Sequence, residues 1–302
     1  MKGNLCYRLA FLAFFLQVIA CKTEREDVVQ FAPTSDEVYP EDTVLQQVTT
    51  KKAMIIIAHD DDMSVMTGTI SGLNKNGWEI CVLSFKHGAE RDQAHRSACA
   101  GILDSVTFFD LEHAQWRIDL GKRKEEELYV PIPKAAFSET FNRQIVEAEL
   151  IKRVNEFGPA VLFTLDNEIG AYGHPEHVFI SQLVLDLAKS GKVPADYIYQ
   201  SVYTPHMNAS IMGRHARRMK EWGFKGDNWE KAKAAYQVNG TPLPTTQIHI
   251  SAEAEEKMNY LNSYNERERK TIGFFIPAFQ EYTAEEYFKI FDREFFNVIT
   301  LN

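Results

Sequence analysis

The sequence is organised around an apolar run, residues 53–58, that ends abruptly in one imidazole and three carboxylates. Such a run without polar side chains is typical of a strand that is covered on both faces, as in a parallel α/β sheet. Ligands of these sheets gather beyond the carboxyl ends of the strands. Apolar residues at helical spacing follow in residues 63–76, so the pattern predicts a strand, an acidic turn and a helix. The polar residues of the turn are His59, Asp60, Asp61 and Asp62.

A second stretch repeats this order of strand, polar turn and helix. The apolar residues 160–165 precede the turn, and Pro175 suits the first position of a helix predicted to span residues 175–189. His174 would then lie at the helix cap and His177 in the first turn, so that both rings can point into one pocket. The two strand ends are therefore expected to bring imidazoles and carboxylates together.

From residue 51 onward the chain alternates apolar runs with helical patterns. This rhythm predicts an α/β fold with a Rossmann-like, mostly parallel sheet and helices on both faces. We expect one domain over residues 51–302, with an insertion around residues 207–244 and a helical tail after residue 252. The predicted strands are residues 53–58, 79–85, 105–111, 160–165, 197–203 and 246–250.

The N-terminal residues predict export. Two basic residues, Lys2 and Arg8, precede an apolar run that is too short to span a membrane as a mature helix, so residues 1–20 are interpreted as a signal peptide. The run ends in Val-Ile-Ala followed by Cys21, which resembles a bacterial lipobox, in which the cysteine is acylated and becomes the mature N-terminus. A signal that is cut elsewhere, leaving Cys21 free, is the alternative.

Lipid on Cys21 would place the protein in the bacterial cell envelope, on the periplasmic face or the cell surface, bound to the membrane without a transmembrane helix. Residues 21–50 carry acidic side chains and prolines without a sustained period, which predicts a tether that is ordered only where it docks. Of the remaining cysteines, Cys81 and Cys99 are expected to be buried thiols, although one disulfide is possible.

The net charge, the cysteine spacing and the glycine pattern argue against several classes of function. The formal net charge of −9 disfavours nucleic acid as a partner, because phosphate binding needs a basic surface. The cysteines form no CxxC arrangement, so a metal site would use histidine and carboxylate ligands. No glycine-rich dinucleotide fingerprint follows a predicted strand. The sequence predicts no particular oligomeric state.

The two polar stretches resemble the A-H-P-D-D and G-H-P-D-H motifs of the PIG-L/LmbE-like zinc-dependent N-acetylglucosaminyl deacetylases. The resemblance implies one Zn²⁺ per chain, bound by His59, Asp62 and His177. It also implies that Asp61 is the general base on zinc-bound water. The substrate would be an N-acetylated amino sugar in a glycan or glycoconjugate of the N-acetylglucosamine type.

The resemblance implies further catalytic roles in the second stretch. His174 would stabilise the developing oxyanion and could protonate the leaving amine, and Glu176 would tune the His174 ring. Tyr172 matches a tyrosine that lies two residues before this histidine in the family. Arg91 lies where the family often has a substrate-binding arginine, at the start of a predicted helix, although a surface ion pair is the competing interpretation.

Three residues depart from the family motifs: Asp60 replaces a proline, Met63 a common glutamate, and Glu176 an aspartate. These departures motivate an alternative function, a catalytically silent glycan-binding lipoprotein of the same fold. A magnesium-dependent phosphoryl-transfer site built on the three consecutive acids is disfavoured, because His59 stands directly at the strand end and imidazole favours zinc over magnesium.

Overall fold

The computed structural model describes residues 25–122, 129–221, 223 and 225–301. The predicted signal peptide, residues 1–20, and the predicted lipidation site Cys21 lie outside these residues. In the part that is described, no helix combines the length and the apolar character needed to cross a membrane.

Within the described residues, seven strands form one sheet in the order β3-β2-β1-β4-β5-β7-β6. Strands β1 to β5 pair in parallel, whereas β7 runs antiparallel to both β5 and β6. The predicted mostly parallel sheet is therefore confirmed. The strands are β1 (Lys52–Ile56), β2 (Glu79–Ser84), β3 (Ser105–Phe108), β4 (Val161–Leu165), β5 (Tyr197–Val202), β6 (Thr246–His249) and β7 (Arg293–Thr300).

Helices cover both faces of the sheet, and the side chains of the central strand β1 alternate between two apolar clusters. On β1, Ala53 and Ile55 join one cluster, whereas Met54 and Ile56 join the other. The helices are α1 (Val44–Gln47), α2 (Thr67–Lys75), α3 (Ala89–Cys99), α4 (His113–Trp116), α5 (Phe137–Thr140), α6 (Arg143–Phe157), α7 (Gly170–Gly173), α8 (Pro175–Lys189), α9 (Pro205–Glu221), α10 (Asn228–Tyr236), α11 (Ala254–Asn262), α12 (Glu266–Phe275) and α13 (Ala284–Ile290).

The C-terminal tail differs from its prediction. Helices α11, α12 and α13 were expected after residue 252, but the chain then ends in β7, which lies between β5 and β6. The helical prediction is wrong for β7, because Phe295 and Phe296 are both buried, so this segment lacks the alternation of apolar and polar residues that marks a half-exposed strand. The segment 207–244, predicted to be an insertion, holds most of α9 and α10.

The described part of the predicted tether, residues 25–50, packs against the C-terminal half of the chain. Phe31 and Leu45 are buried in the same apolar cluster as Ala53 and Ile55 of β1. Glu26 accepts hydrogen bonds of 2.8 and 2.6 Å from the guanidinium of Arg214 on α9. This segment thus docks at several points along its length. Cys81 and Cys99 are free, buried thiols, as expected.

Candidate metal centre

The neighbouring strands β1 and β4 place the two polar stretches side by side. They pair in parallel, from Ala53 opposite Val161 to Ile55 opposite Phe163, so their carboxyl ends meet at one edge of the sheet. The residues after β1 form a 3-10 helix, Asp60–Val65, and those after β4 lead through a tight loop into α8. Helix α8 begins at Pro175, as the sequence predicts.

The three predicted metal ligands converge on one point. The Nδ1 atom of His59 lies 2.8 Å from Nε2 of His177. Asp62 Oδ1 is 3.0 Å from His177 Nε2, and Asp62 Oδ2 is 3.6 Å from His59 Nδ1. Ligand atoms bound to one tetrahedral Zn²⁺ at its usual bond lengths lie roughly 3.3 Å apart, so this spacing suits a shared ion.

The hydrogen bonds of the two rings show how a cation would fit between them. His177 Nδ1 lies 3.1 Å from the carbonyl oxygen of Gly170, and His59 Nε2 lies 3.0 Å from the carboxylate of Glu176. Both partners are acceptors, so these two nitrogens carry hydrogen. The nitrogens that face each other are then bare lone pairs when the rings are neutral, and a positive ion between them relieves their repulsion. This donor set, with both outer nitrogens anchored, fits zinc.

The local charges agree with a cation site. Burial would raise the pKa of Asp62, but the adjacent His177 and His59 hold that pKa well below its usual range. Burial would lower the pKa of His59, but Asp62 and Glu176 raise it well above its usual value. The pocket therefore favours positive charge at the point where the three side chains meet.

His174 presents a hydrogen-bond donor rather than a lone pair. Its Nδ1 accepts a hydrogen bond of 3.2 Å from the backbone N–H of Glu176, so Nε2 carries the proton. Burial, with His59 and His177 nearby, keeps the pKa of His174 well below its usual value, so the ring is neutral. Its Nε2 is buried and has no hydrogen-bond partner among the residues that the structure describes. The ring is therefore placed to donate to a substrate oxygen, although its ligand atoms lie within 4.8 Å of those of His59 and His177.

The carboxylate of Glu176 makes no hydrogen bond to the His174 ring among the residues that the structure describes. The carboxylate instead accepts from His59 Nε2 and pairs with the guanidinium of Arg117, and both residues are almost fully buried. Arg117 also donates to Asp119 at 3.1 Å. Glu176 thus orients the ring of His59. It donates a hydrogen bond to His174 through its backbone N–H, and its carboxylate opposes the lowering of the pKa of His174 by burial. The sequence did not predict Arg117 as a site residue, because its segment, residues 112–138, shows no periodic pattern.

The acidic turn after β1 is paired with one guanidinium, which Arg91 supplies to Asp60 and Asp61. Arg91 Nη2 donates to Asp61 Oδ1 at 3.0 Å, and Arg91 Nε lies 2.6 Å from Asp60 Oδ1 without hydrogen-bond alignment. Burial raises the pKa of Asp60 to about 7, a shift that Asp61 increases and Arg91 opposes. Asp61 faces a polar cavity next to the metal ligands, as a base must.

The loop before α8 is held by one buried carboxylate. Asp166, fully buried, accepts hydrogen bonds from the backbone N–H groups of four consecutive residues, from Glu168 to Ala171. The loop needs this support because Gly170 and Ala171 both have positive φ, of 61° and 65°, and such a conformation is costly for alanine. Its shape places the Gly170 carbonyl on His177.

The polar cavity next to the ligands has a volume of about 240 Å³. Tyr172 lies on its wall, with its ring 5.0 Å from that of His177 and stacked on Phe275 at 4.1 Å. Tyr129, half-exposed, packs edge-on against His174 at 5.3 Å. The cavity is lined, among others, by His59, Asp61, His87, Arg91, His174 and Arg267.

Comparison with known proteins locates the family signal in the same part of the chain. Residues 54–188 match the family model described as PIG-L: GlcNAc-PI de-N-acetylase. A curated relative from Catenulispora acidiphila is named 1D-myo-inositol 2-acetamido-2-deoxy-alpha-D-glucopyranoside deacetylase 1. It is 25% identical over 193 residues, which cover 60% of this chain and 52% of the relative. The chain thus spans about half the length of this relative.

Two solved structures align with most of the chain. An N,N'-diacetylchitobiose deacetylase from Pyrococcus horikoshii is 13% identical, with 85% of this chain and 89% of that chain covered and a TM-score of 0.43. A 4-carboxy-2-hydroxymuconate hydratase from Pseudomonas putida is 14% identical, with 82% and 95% covered and a TM-score of 0.46. The matched residues 54–188 include both polar stretches and all three predicted metal ligands, so this part of the chain is similar to the PIG-L family.

Proposed function

We propose that this protein is a zinc-dependent hydrolase that removes the acetyl group from an N-acetylated amino sugar, in a glycan or glycoconjugate of the N-acetylglucosamine type. The observation that carries the proposal is the pair of facing ring nitrogens of His59 and His177, 2.8 Å apart, with Asp62 beside them. The match to the PIG-L family model and the deacetylase activity for which the curated relative is named support it.

The residues around the metal ligands can carry out the steps of amide hydrolysis. Zn²⁺ held by His59, Asp62 and His177 would supply Lewis acidity and lower the pKa of a water towards about 7. Asp61 takes the proton of the attacking water. The Nε2–H of His174 donates to the acyl oxygen as it gains negative charge. The C–N bond then breaks, the proton passes from Asp61 to the amine nitrogen, and acetate and a free amine result.

The test combines metal content with product release. We expect about one zinc per chain in the purified protein and its loss in both His59→Ala and His177→Ala. Asp61→Asn should keep its zinc but release amine from N-acetylated amino sugars about 10²- to 10⁴-fold more slowly. Unchanged turnover in Asp61→Asn would rule out its role as the base. Zinc and saturable glycan binding without amine release would favour the silent binding protein.

We also propose that lipid on Cys21 anchors the protein to the bacterial cell envelope. The support is the apolar run that ends at Cys21 in the sequence. Cys21→Ser should move the protein from the membrane fraction to the soluble fraction, whereas Cys6→Ser, inside the predicted signal peptide, should not. Membrane association that survives Cys21→Ser would contradict the anchor.

A further inference from the structure

A second cavity begins at the candidate metal centre and differs in character from the polar one. Its volume is about 40 Å³, and its wall next to the metal centre is formed by Asp61, Asp62 and His177. The rest of its wall is mostly apolar. The apolar contribution comes from Val65, Leu165, Ala171, Tyr203, Ile272 and Phe275.

The two cavities meet where the reacting bond would lie. Both are lined by Asp61, Tyr172 and Thr271. Sugar hydroxyl groups need hydrogen-bond partners, which the polar cavity offers, whereas methylene groups gain free energy when they leave water for an apolar wall. An amide whose carbonyl lies beside Asp61 would therefore place its amine portion in the polar cavity and its acyl chain in the apolar one.

The apolar cavity is larger than an acetyl group needs. Its 40 Å³ correspond to roughly three water-sized groups, whereas an acetyl group inserts a single methyl. A further, mostly apolar cavity, of about 50 Å³, is also lined by Val65, Tyr203 and Phe275. These three side chains stand between the two cavities, so a linear chain that fills the first would point towards the second.

The wall of the apolar cavity is held firmly in place. Phe275 stacks on Tyr172 with a centroid distance of 4.1 Å. Ala171, whose small side chain leaves the cavity open, is kept at a φ of 65° by a 2.7 Å hydrogen bond from its N–H to Asp166. Val65 ends the 3-10 helix that carries Asp61 and Asp62. The cavity is thus built from the same elements as the candidate metal centre.

From this arrangement we propose that the apolar cavity binds the acyl chain of the substrate, and that the enzyme prefers linear N-acyl groups of about four to six carbons to N-acetyl. The inference rests on the proposed amide hydrolysis and specifies its substrate class. Val65, Ile272 and Phe275 then determine acyl specificity, because they form the part of the wall that the second to fourth carbons would contact.

The experiment compares N-acetyl-, N-butyryl- and N-hexanoyl-glucosamine as substrates of the zinc-loaded protein, with amine release as the readout. We expect kcat/KM to rise about tenfold or more from acetyl to butyryl, since each methylene bound in an apolar pocket gives about tenfold discrimination. Val65→Phe, which fills the junction, should lower the ratio of hexanoyl to acetyl kcat/KM at least tenfold. Val65→Ala should shift the preference towards hexanoyl.

Val38→Phe is the matched control, because Val38 is 65% exposed and lines neither cavity. It should leave the hexanoyl-to-acetyl ratio as it is in the parent protein. Amine release that falls steadily from acetyl to hexanoyl, or ratios that neither Val65 variant changes, would overturn the acyl pocket while leaving the deacetylase function intact. Failure to release amine from every substrate, acetyl included, would overturn both.

Discussion

Arg91 donates a hydrogen bond from Nη2 to Oδ1 of Asp61, 3.0 Å away. Its Nε lies 2.6 Å from the buried carboxylate of Asp60, so one guanidinium is placed between two adjacent acids. The family resemblance had implied that Arg91 binds substrate. Asp60 stands where the family has proline, so in this chain Arg91 pairs with a second carboxylate besides that of Asp61. We infer that Arg91 orients Asp61 for proton transfer.

Replacing Arg91 should therefore affect turnover more than substrate affinity. In Arg91→Ala we expect kcat to fall about 10- to 100-fold, because Asp61 loses the donor that orients it and is left beside Asp60 without a countercharge. KM should change little. Steady-state kinetics on an N-acyl amino sugar give both values, with Arg96→Ala on the same helix as the control. A large rise in KM at constant kcat would instead identify Arg91 as a substrate-binding residue.

The Gly170 carbonyl should control metal retention through His177. A Cβ atom at Gly170 would lie 2.6 Å from Cβ of His177, so alanine there must displace the ligand. We expect Gly170→Ala to weaken zinc binding about 10- to 100-fold, the usual effect of disturbing a group that orients a ligand. Competition with a chelator measures this affinity.

Gly191→Ala is the control for this substitution. Gly191 also has a positive φ, of 69°, but an added Cβ would meet nothing within 4 Å. Both variants thus share the backbone cost of alanine, and only the first disturbs the metal centre. Equal zinc affinities in the two variants would show that the Gly170 carbonyl has no effect on His177.

Glu294 on β7 should be important for stability. Its carboxylate accepts from the N–H groups of Gly68 and Thr69, at 2.9 and 2.7 Å, and pairs with buried Lys257 at 2.5 Å. We expect Glu294→Ala to lower the free energy of unfolding by about 3–5 kcal/mol, because it leaves a buried ammonium without a partner. Urea denaturation measures the change. Removing Glu266, whose pair with Lys270 is exposed, should cost at most about 1 kcal/mol; equal losses would contradict the argument.

His215 should make stability depend on pH. It packs against the rings of Phe274 and Phe275 on α12. Burial, with Arg214 adding to the effect, lowers the pKa of His215 from 6.5 to about 4. The folded state thus favours the neutral ring. The contribution of His215 to the free energy of unfolding is therefore complete above pH 6.5 and is lost as the pH falls from 6.5 towards 4.

Comparison with His215→Gln isolates this contribution. Between pH 7 and pH 4 the parent protein should lose about 2 kcal/mol more unfolding free energy than the variant, on the order expected for such a shift in a partly exposed ring. Urea denaturation at both pH values gives the two differences. Parallel pH profiles would show that the ring titrates alike in the folded and unfolded states.

The main features of the candidate site could be predicted because they are local in the sequence. The run before His59 and the run before His174 each end at the carboxyl end of a parallel strand, and parallel neighbours have these ends at one edge. The predicted ligands His59, Asp62 and His177 are brought together there. Their catalytic and metal-binding roles remain predictions, which the zinc and turnover measurements address.

The sequence by itself determined the alternation of strands and helices and the positions of the two polar turns, because periodicity and strand ends are properties of neighbouring residues. Only the tertiary structure decided that β7 enters the sheet, that Glu176 contacts His59 and Arg117, and that an apolar cavity begins at Asp62. These features depend on side chains that are distant in the chain and meet only after packing. A local sequence pattern cannot predict such contacts, because the two residues of each contact are far apart in the sequence.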